Sequence, residues 1–499
     1  MLFTISIFSI ILIFDHIKRP NFIIFYKVRK SDAMLTYSFE HKGKDSLYEF
    51  LYKSIKEDIL SFKLSPEEKL PSKRALAEHL HISTITVENA YNQLMAEGYI
   101  YSKPKSGFFV SSIISPKIND SVPNTRYETD LYKAQKYNLI ADFSNNATSE
   151  ESFPFVTWSK LMRQIMSDKR NLLTLNSPSV GIRELRMAIS DYLFQFRGMS
   201  ADPDCIIIGA GTEYLYSLII QLLGRHKKYA VEDPGYRKIA QIYKANNVSF
   251  DYVPLDENGI NTSALEKSEA DVLHISPSHH FPTGIVTPIS RRYELLSWAS
   301  KSPDRYIIED DYDSEFRFSG KPIPSLQSID VLQKVIYINT FSKSLTSTIR
   351  ISYMVLPKAL MELYKKELSF YSCTVSNFEQ YTLAAFIEQG FFEKHINRMR
   401  NYYRNQRDAV MTAIKSHPLY SKVKIKEEHS GLHFLMSVNT ELSDEVLTDK
   451  AKEKGINLSC LSHYYHDKTT APQHTLIINY SGLPKGRIKE AVDLLFDCL

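Results

Sequence analysis

Five short apolar runs constrain this chain most: Ile206–Ile208, Lys228–Val231, Val272–Ile275, Tyr306–Ile308 and Val335–Ile338. Each is too short for a helix and shows no polar alternation, which predicts strands buried on both faces. Between them lie stretches with helical spacing, such as Glu213–Gly224, Tyr236–Asn246 and Arg291–Ser300. Strand–helix alternation of this kind predicts a mostly parallel sheet covered by helices on both faces. The full length of 499 residues is too great for one core, so further domains are expected.

Open sheets of this class bind ligands at the carboxyl ends of their strands. Here one strand end delivers Glu309-Asp310-Asp311-Tyr312-Asp313, and another delivers Asn339-Thr340-Phe341-Ser342-Lys343-Ser344. A carboxylate, a phenol and an amine thus arrive at one sheet edge. The set fits pyridoxal 5'-phosphate (PLP): a lysine for the Schiff base, Lys343, and an Asp to keep the pyridine nitrogen protonated. Tyr312 stands beside the phenolic oxygen. Gly209-Ala210-Gly211-Thr212 follows the first strand and opens a helix. Its free N–H groups and the Thr212 hydroxyl suit a phosphate, although such turns also occur without a ligand. Tyr236 is placed to stack on a ring. Arg350, seven residues beyond Lys343, can offer a bidentate fork to phosphate, with Thr340 or Ser342 helping.

The front of the chain has a different pattern. Leu47, Leu51, Ile55 and Ile59 mark one helix, and Ser72 caps a second that runs to Leu80. After the turn His81-Ile82-Ser83, either Ser83 or Thr84 caps a third helix to about Glu97, stopped by Gly98. Strands Tyr99–Tyr101 and Phe108–Val110 follow, joined by a basic tip. This order predicts a winged helix-turn-helix over residues 42–112, and hence an operator DNA partner. Acids and bases cancel across it, so it is no generic polycation. Lys73, Arg74, Lys103 and Lys105 are placed for phosphate contact, and Thr84, Thr86, Glu88 and Asn89 for bases.

A net charge of +4 says little about partners. Four dispersed cysteines without a CxxC indicate no disulfide framework and no metal site, in keeping with a cytoplasmic protein. The apolar run Leu2–Phe14 falls short of the roughly 20 residues of a membrane-spanning helix. It lacks a basic start and a cleavage site, so residues 1–33 read as a non-native extension before Met34. No membrane partner is expected unless that extension is native. Residues 113–138 read as a linker with a short helix at Leu131–Tyr137. Residues 139–499 form the large domain, with a small α+β subdomain from about 360 to 499.

The run Leu70-Pro71-Ser72-Lys73-Arg74, with Leu76-Ala77, Thr86-Val87, Ala90-Tyr91, Leu94 and Glu97-Gly98-Tyr99, resembles the GntR-type DNA-binding domain. The resemblance implies a recognition helix starting at Thr84 in the major groove and a wing on the minor groove or backbone. Relatives often carry Arg where Thr84 stands, so an arginine–guanine contact is lost there. The runs Ile307–Phe316 and Thr340–Ser344, and Pro277-Ser278-His279 before Phe281-Pro282-Thr283-Gly284, resemble fold-type I PLP enzymes. Together with the front domain they resemble the MocR/GabR family of transcriptional regulators, from about Leu47 to the C-terminus. That resemblance implies Lys343 as the PLP lysine, Asp310 at the pyridine nitrogen, Tyr312 at O3′, Tyr236 over the ring and Arg350 at the phosphate. His280 or Phe281 stands where aminotransferases place an Asn on O3′.

Two departures from the aminotransferase pattern matter. The arginine that clamps a substrate carboxylate is missing near Ile477, where Arg237 or Lys238 would have to substitute. The tyrosine donated across a dimer interface is missing near Leu175 or Asn176. The expected function is a PLP-dependent transcriptional regulator that senses an amine, an amino acid or PLP itself. It would act as a homodimer with swapped DNA-binding heads. The alternative is a working aminotransferase with an accessory winged helix, which the missing arginine opposes.

Overall fold

The computed structural model describes residues 34–39, 43–112, 139–144, 152–318, 323–426 and 431–499. The expected extension (1–33) and linker (113–138) lie outside the described residues. The chain divides into two compact units, residues 1–132 and 133–499.

In the first unit, α1 (Leu47–Leu60) begins with a capping box between Ser46 and Glu49. Helix α2 (Lys73–His79) is capped by Ser72, whose hydroxyl accepts from the Ala75 N–H. Helix α3 (Thr84–Ala96) is capped by Ser83 rather than Thr84. Leu51, Ile55, Leu76, Val87, Ala90, Tyr91 and Leu94 form the shared core. Leu47, expected on the buried stripe, is 38% exposed. Strands β1 (Ile100–Lys103) and β2 (Gly107–Val110) make an antiparallel wing that pairs Ile100 with Val110 and Lys103 with Gly107.

The second unit opens with β3 (Ala141–Asp142). Its main sheet comprises β4 (Ile206–Gly209), β5 (Tyr229–Asp233), β6 (Phe250–Asp256), β7 (Gly259–Ile260), β8 (Val272–Ile275), β9 (Tyr306–Asp310), β10 (Val335–Thr340) and β11 (Ser352–Val355). The order across the sheet is β4-β11-β10-β9-β8-β5-β6-β7. The five central strands β10, β9, β8, β5 and β6 run parallel, whereas β11 is antiparallel to both neighbours. Strands β6, β7 and β11 were not among the five apolar runs. In β6, beside the edge strand β7, most residues are half-buried and Asp251 and Pro254 interrupt the apolar run. In β11 a serine breaks the apolar signal.

Helices cover both faces. Before the sheet come α4 (Phe155–Asp168), α5 (Arg170–Leu173) and α6 (Arg183–Arg197). Within it come α7 (Thr212–Leu223), α8 (Arg237–Ala245), α9 (Thr262–Lys267), α10 (Ile289–Ser300), α11 (Leu326–Ile329) and α12 (Phe341–Ser344). Side chains of β10 alternate between the covers. Ile336 and Ile338 join α7 residues Leu215 and Ile219 in one core, and Tyr337 joins α6 residues Leu185 and Ile189 in another.

The C-terminal part forms a second, antiparallel sheet from β12 (Val423–Lys426), β13 (His433–Val438), β15 (Ser459–Cys460) and β16 (Thr475–Asn479). The remaining strand, β14 (Ile456–Asn457), pairs in parallel with β3. Residues before the main sheet thus pair with residues of the C-terminal part. All four cysteines are free. Among the described residues, no helix is long and apolar enough to cross a membrane.

Candidate functional site

The ends of β9 and β10 and the start of α7 enclose a cavity of about 340 Å³ that holds Lys343, Asp310, Tyr312, Tyr236, Arg350, Thr212, Thr340 and Ser342. Local caps fix Lys343. The Thr340 hydroxyl accepts from the Ser342 N–H at 3.1 Å, while Phe341 and Ser344 are buried on either side. Burial lowers the lysine's pKa below its ordinary value, opposed by nearby Asp313. A lysine so shifted is more readily deprotonated and hence nucleophilic.

The acid cluster divides by direction. Glu309 is fully buried against Arg292 and accepts the N–H groups of Leu326 and Gln327. Asp311 pairs with Arg197 at 2.8 Å and accepts from the Tyr337 hydroxyl. Asp313 meets His279 Nδ1 at 2.8 Å. Of the four, only Asp310 lines the cavity. Its Oδ2 accepts from the Tyr216 hydroxyl at 2.5 Å and lies 3.8 Å from His274 Nε2. The His274 ring is held in turn by Tyr243. The Tyr312 hydroxyl donates to the His279 carbonyl at 3.0 Å.

Three lining residues have a buried polar atom with no hydrogen-bond partner among the described residues: Asp310 Oδ1, Ser342 Oγ and Asn479 Oδ1. Buried polar atoms are rarely left unpaired, so such a cluster marks a place for a polar ligand. At the other end, Gly211 has φ +94° and ψ 159°, a region essentially restricted to glycine. A Cβ there would overlap the Arg350 guanidinium, so glycine lets that side chain lie against the helix start. Arg350 itself has φ +49° and contacts Glu213 at 3.3 Å.

Not every expected residue reaches the cavity. His280 does not: it is bonded to Thr283 at 2.7 Å and lies 3.5 Å from Glu232, and Phe281 takes the lining position instead. Burial holds His280 down to about 3 and pushes the Glu232 carboxyl up to about 8. Lys238 lines the cavity but is paired with Glu213, while Arg237 borders an adjoining cavity of about 190 Å³. Ile477 is fully buried with Leu435 and Leu461, so no cation stands there. Leu175 is 61% exposed. Tyr216, Tyr464 and Asn479 were missed, and Phe281 was offered only as the alternative to His280. Only Tyr216 had a local signal, standing one helical turn beyond Thr212.

In the first unit, Arg74 and Lys105 are exposed, as are Thr84 and Asn89 on α3. Lys73 is instead tied to Glu88 at 2.6 Å, and Lys103 lies over the Phe109 ring and 3.6 Å from Glu67. The Thr86 hydroxyl meets that of Ser83 at 2.8 Å within the helix cap.

Residues 47–110 match the family described as bacterial regulatory proteins, gntR family. Over 452 residues the chain is 38% identical to the uncharacterized HTH-type transcriptional regulator YdeL of Bacillus subtilis, covering 90% of this chain and 96% of that one. It is 28% identical over 89% of its length to the probable rhizopine catabolism regulatory protein MocR of Rhizobium meliloti, covering 92% of that protein. The chain belongs to the MocR family. It is a DNA-binding transcriptional regulator with an aminotransferase-like domain. The HTH-type pyridoxine biosynthesis transcriptional regulator PdxR of Corynebacterium glutamicum is 29% identical over 81% of this chain and 85% of its own.

The fold of this MocR-family chain is that of fold-type I aminotransferases. The multiple substrate aminotransferase of Thermococcus profundus superposes with a TM-score of 0.64 at 22% identity, over 74% of this chain and 94% of that one. The α-aminoadipate aminotransferase of Thermus thermophilus, solved with N-(5'-phosphopyridoxyl)-L-leucine, gives 0.63 at 24% identity, over 73% and 92%.

Proposed function

We propose that the large unit binds PLP at Lys343 and senses a small molecule in the same cavity, thereby setting operator affinity. The carrying observation is the union of a burial-shifted lysine with three unpartnered buried polar atoms in one cavity. Asp310 Oδ1 suits a pyridinium N–H. Ser342, Thr212, the N–H groups opening α7 and Arg350 suit a phosphate. Tyr236 would cover one ring face. When bound, PLP supplies an electrophilic aldehyde carbon for amines. The residues around it orient it, exclude water and keep Lys343 able to lose its proton.

The effector class is an amine, an amino acid or PLP itself; the name of the relative PdxR lends weight to a vitamin B6 compound. Its binding must favour one DNA-binding state over another to have an effect. The protein acts in the cytoplasm as a homodimer with swapped heads on paired half-sites. The buried Ile477 disfavours routine turnover of α-amino acids, because no cation there holds the carboxylate.

The test is a visible absorption spectrum of the full chain with PLP, beside Lys343→Ala. A band in the wild type, absent from the variant, is expected. Borohydride should then fix a phosphopyridoxyl group on the Lys343 peptide, as read by mass spectrometry. No band, or one that persists in the variant, refutes the proposal.

A further inference from the structure

A helix-turn-helix reads bases with residues near the start of its second helix, so the exposed face of α3 decides what this regulator can recognise. Val87, Ala90, Tyr91 and Leu94 point into the core. The opposite face therefore carries Ile85, Asn89 and Asn92, spaced four and three residues apart. Ile85 is 69% exposed, and both asparagines are exposed. Neither carboxamide has a hydrogen-bond partner among the described residues. An isoleucine this exposed in the first turn of a helix adds nothing to the core. The helix sequence TITVENAYNQLMA contains no Lys or Arg. The one acid, Glu88, is engaged by Lys73 at 2.6 Å.

We infer that α3 reads A·T base pairs, with Ile85 against a thymine C5-methyl group and Asn89 on an adjacent adenine edge. Apolar contact is how proteins recognise that methyl, and a carboxamide matches the N6–H donor and N7 acceptor of adenine. Guanine is read chiefly by Arg or Lys, which α3 lacks, and cytosine by a free acid, which Glu88 is not while Lys73 holds it. Asn92, one turn further on, extends the same neutral stripe. Arg74 and Lys105, both exposed, remain for the phosphates that set register.

The experiment is selection of duplexes from a randomised pool by the full-length protein, repeated with Ile85→Ala and Asn89→Ala. Half-sites with A·T at the positions whose identity relaxes in either variant are expected. Replacing the selected thymine by deoxyuridine, which removes only the methyl, should weaken wild-type binding about fourfold. It should leave Ile85→Ala unchanged. Asn89→Ala should lose about tenfold on the selected site. Both variants should keep wild-type affinity for random DNA, which shows that the unit still folds. Guanine or cytosine at the variant-sensitive positions, no enriched sequence at all, or wild-type indifference to deoxyuridine would each overturn the inference.

Discussion

Replacing Glu232 by Gln tests the electrostatics beside the cavity directly. Glu232 is nearly buried, accepts the Ser276 N–H at 3.0 Å, and has its carboxyl pushed from an ordinary 4.5 up to about 8 by desolvation. The folded protein therefore holds that proton more tightly than the unfolded chain does. The resulting stability is fully present below about pH 4.5 and is lost as pH rises towards about 8. At about 1.36 kcal/mol per pH unit, the displacement sets an upper bound of about 5 kcal/mol. Solvent in the adjoining cavity screens the site, so about 2–3 kcal/mol is the expected effect. Gln keeps the size and the acceptor for Ser276 but cannot ionise. Urea unfolding followed by a probe in the large unit, at about pH 5 and about pH 8.5, measures it. The wild type should lose about 2–3 kcal/mol more than Glu232→Gln across that interval. Equal losses would mean that Glu232 is already ionised in the folded state at neutral pH, and the burial reasoning would fail.

Other changes probe the remaining parts. Tyr216→Phe removes the hydroxyl that donates to Asp310, a charge-assisted bond of about 1.5–3 kcal/mol, so PLP titrated by absorbance should bind about 10- to 100-fold more weakly. Unchanged affinity would show that Asp310 needs no help from Tyr216. Gly211→Ala puts a Cβ into a glycine-only backbone region and against Arg350, so the large unit should lose about 1–3 kcal/mol in denaturant melts and hold phosphate compounds less tightly. Ser72→Ala deletes the acceptor for the Ala75 N–H and should destabilise the first unit by about 1 kcal/mol in thermal unfolding. An unchanged transition would place the cap's contribution elsewhere.

Much of the fold was legible because its signals are local. The five apolar runs became strands, and the caps at Ser72 and Ser83 opened helices where short polar side chains precede apolar periodicity. Strands β6 and β11 were hidden, one by Asp251 and Pro254 within its run and the other by Ser352. Lys343, Asp310 and Thr212 could be brought to one edge from sequence, since each follows directly on a strand and the sheet fixes where strand ends meet. His280 could not be told from Phe281, because one residue of chain direction decides which side chain faces the cavity and only packing sets it.

The sequence by itself determined the two-part organisation, the strand ends that carry the amine and the carboxylate, and a recognition helix without basic residues. These depend on composition and on residues adjacent in the chain. Tertiary structure alone decided that Tyr216 steadies Asp310, and that Asn479 from β16 joins a cavity built around β9 and β10. It also decided that Lys73 and Glu88 occupy one another, leaving Ile85 and Asn89 as the open face of α3. Such pairings join residues far apart in the chain, and closure of the core, which no local pattern encodes, selects them.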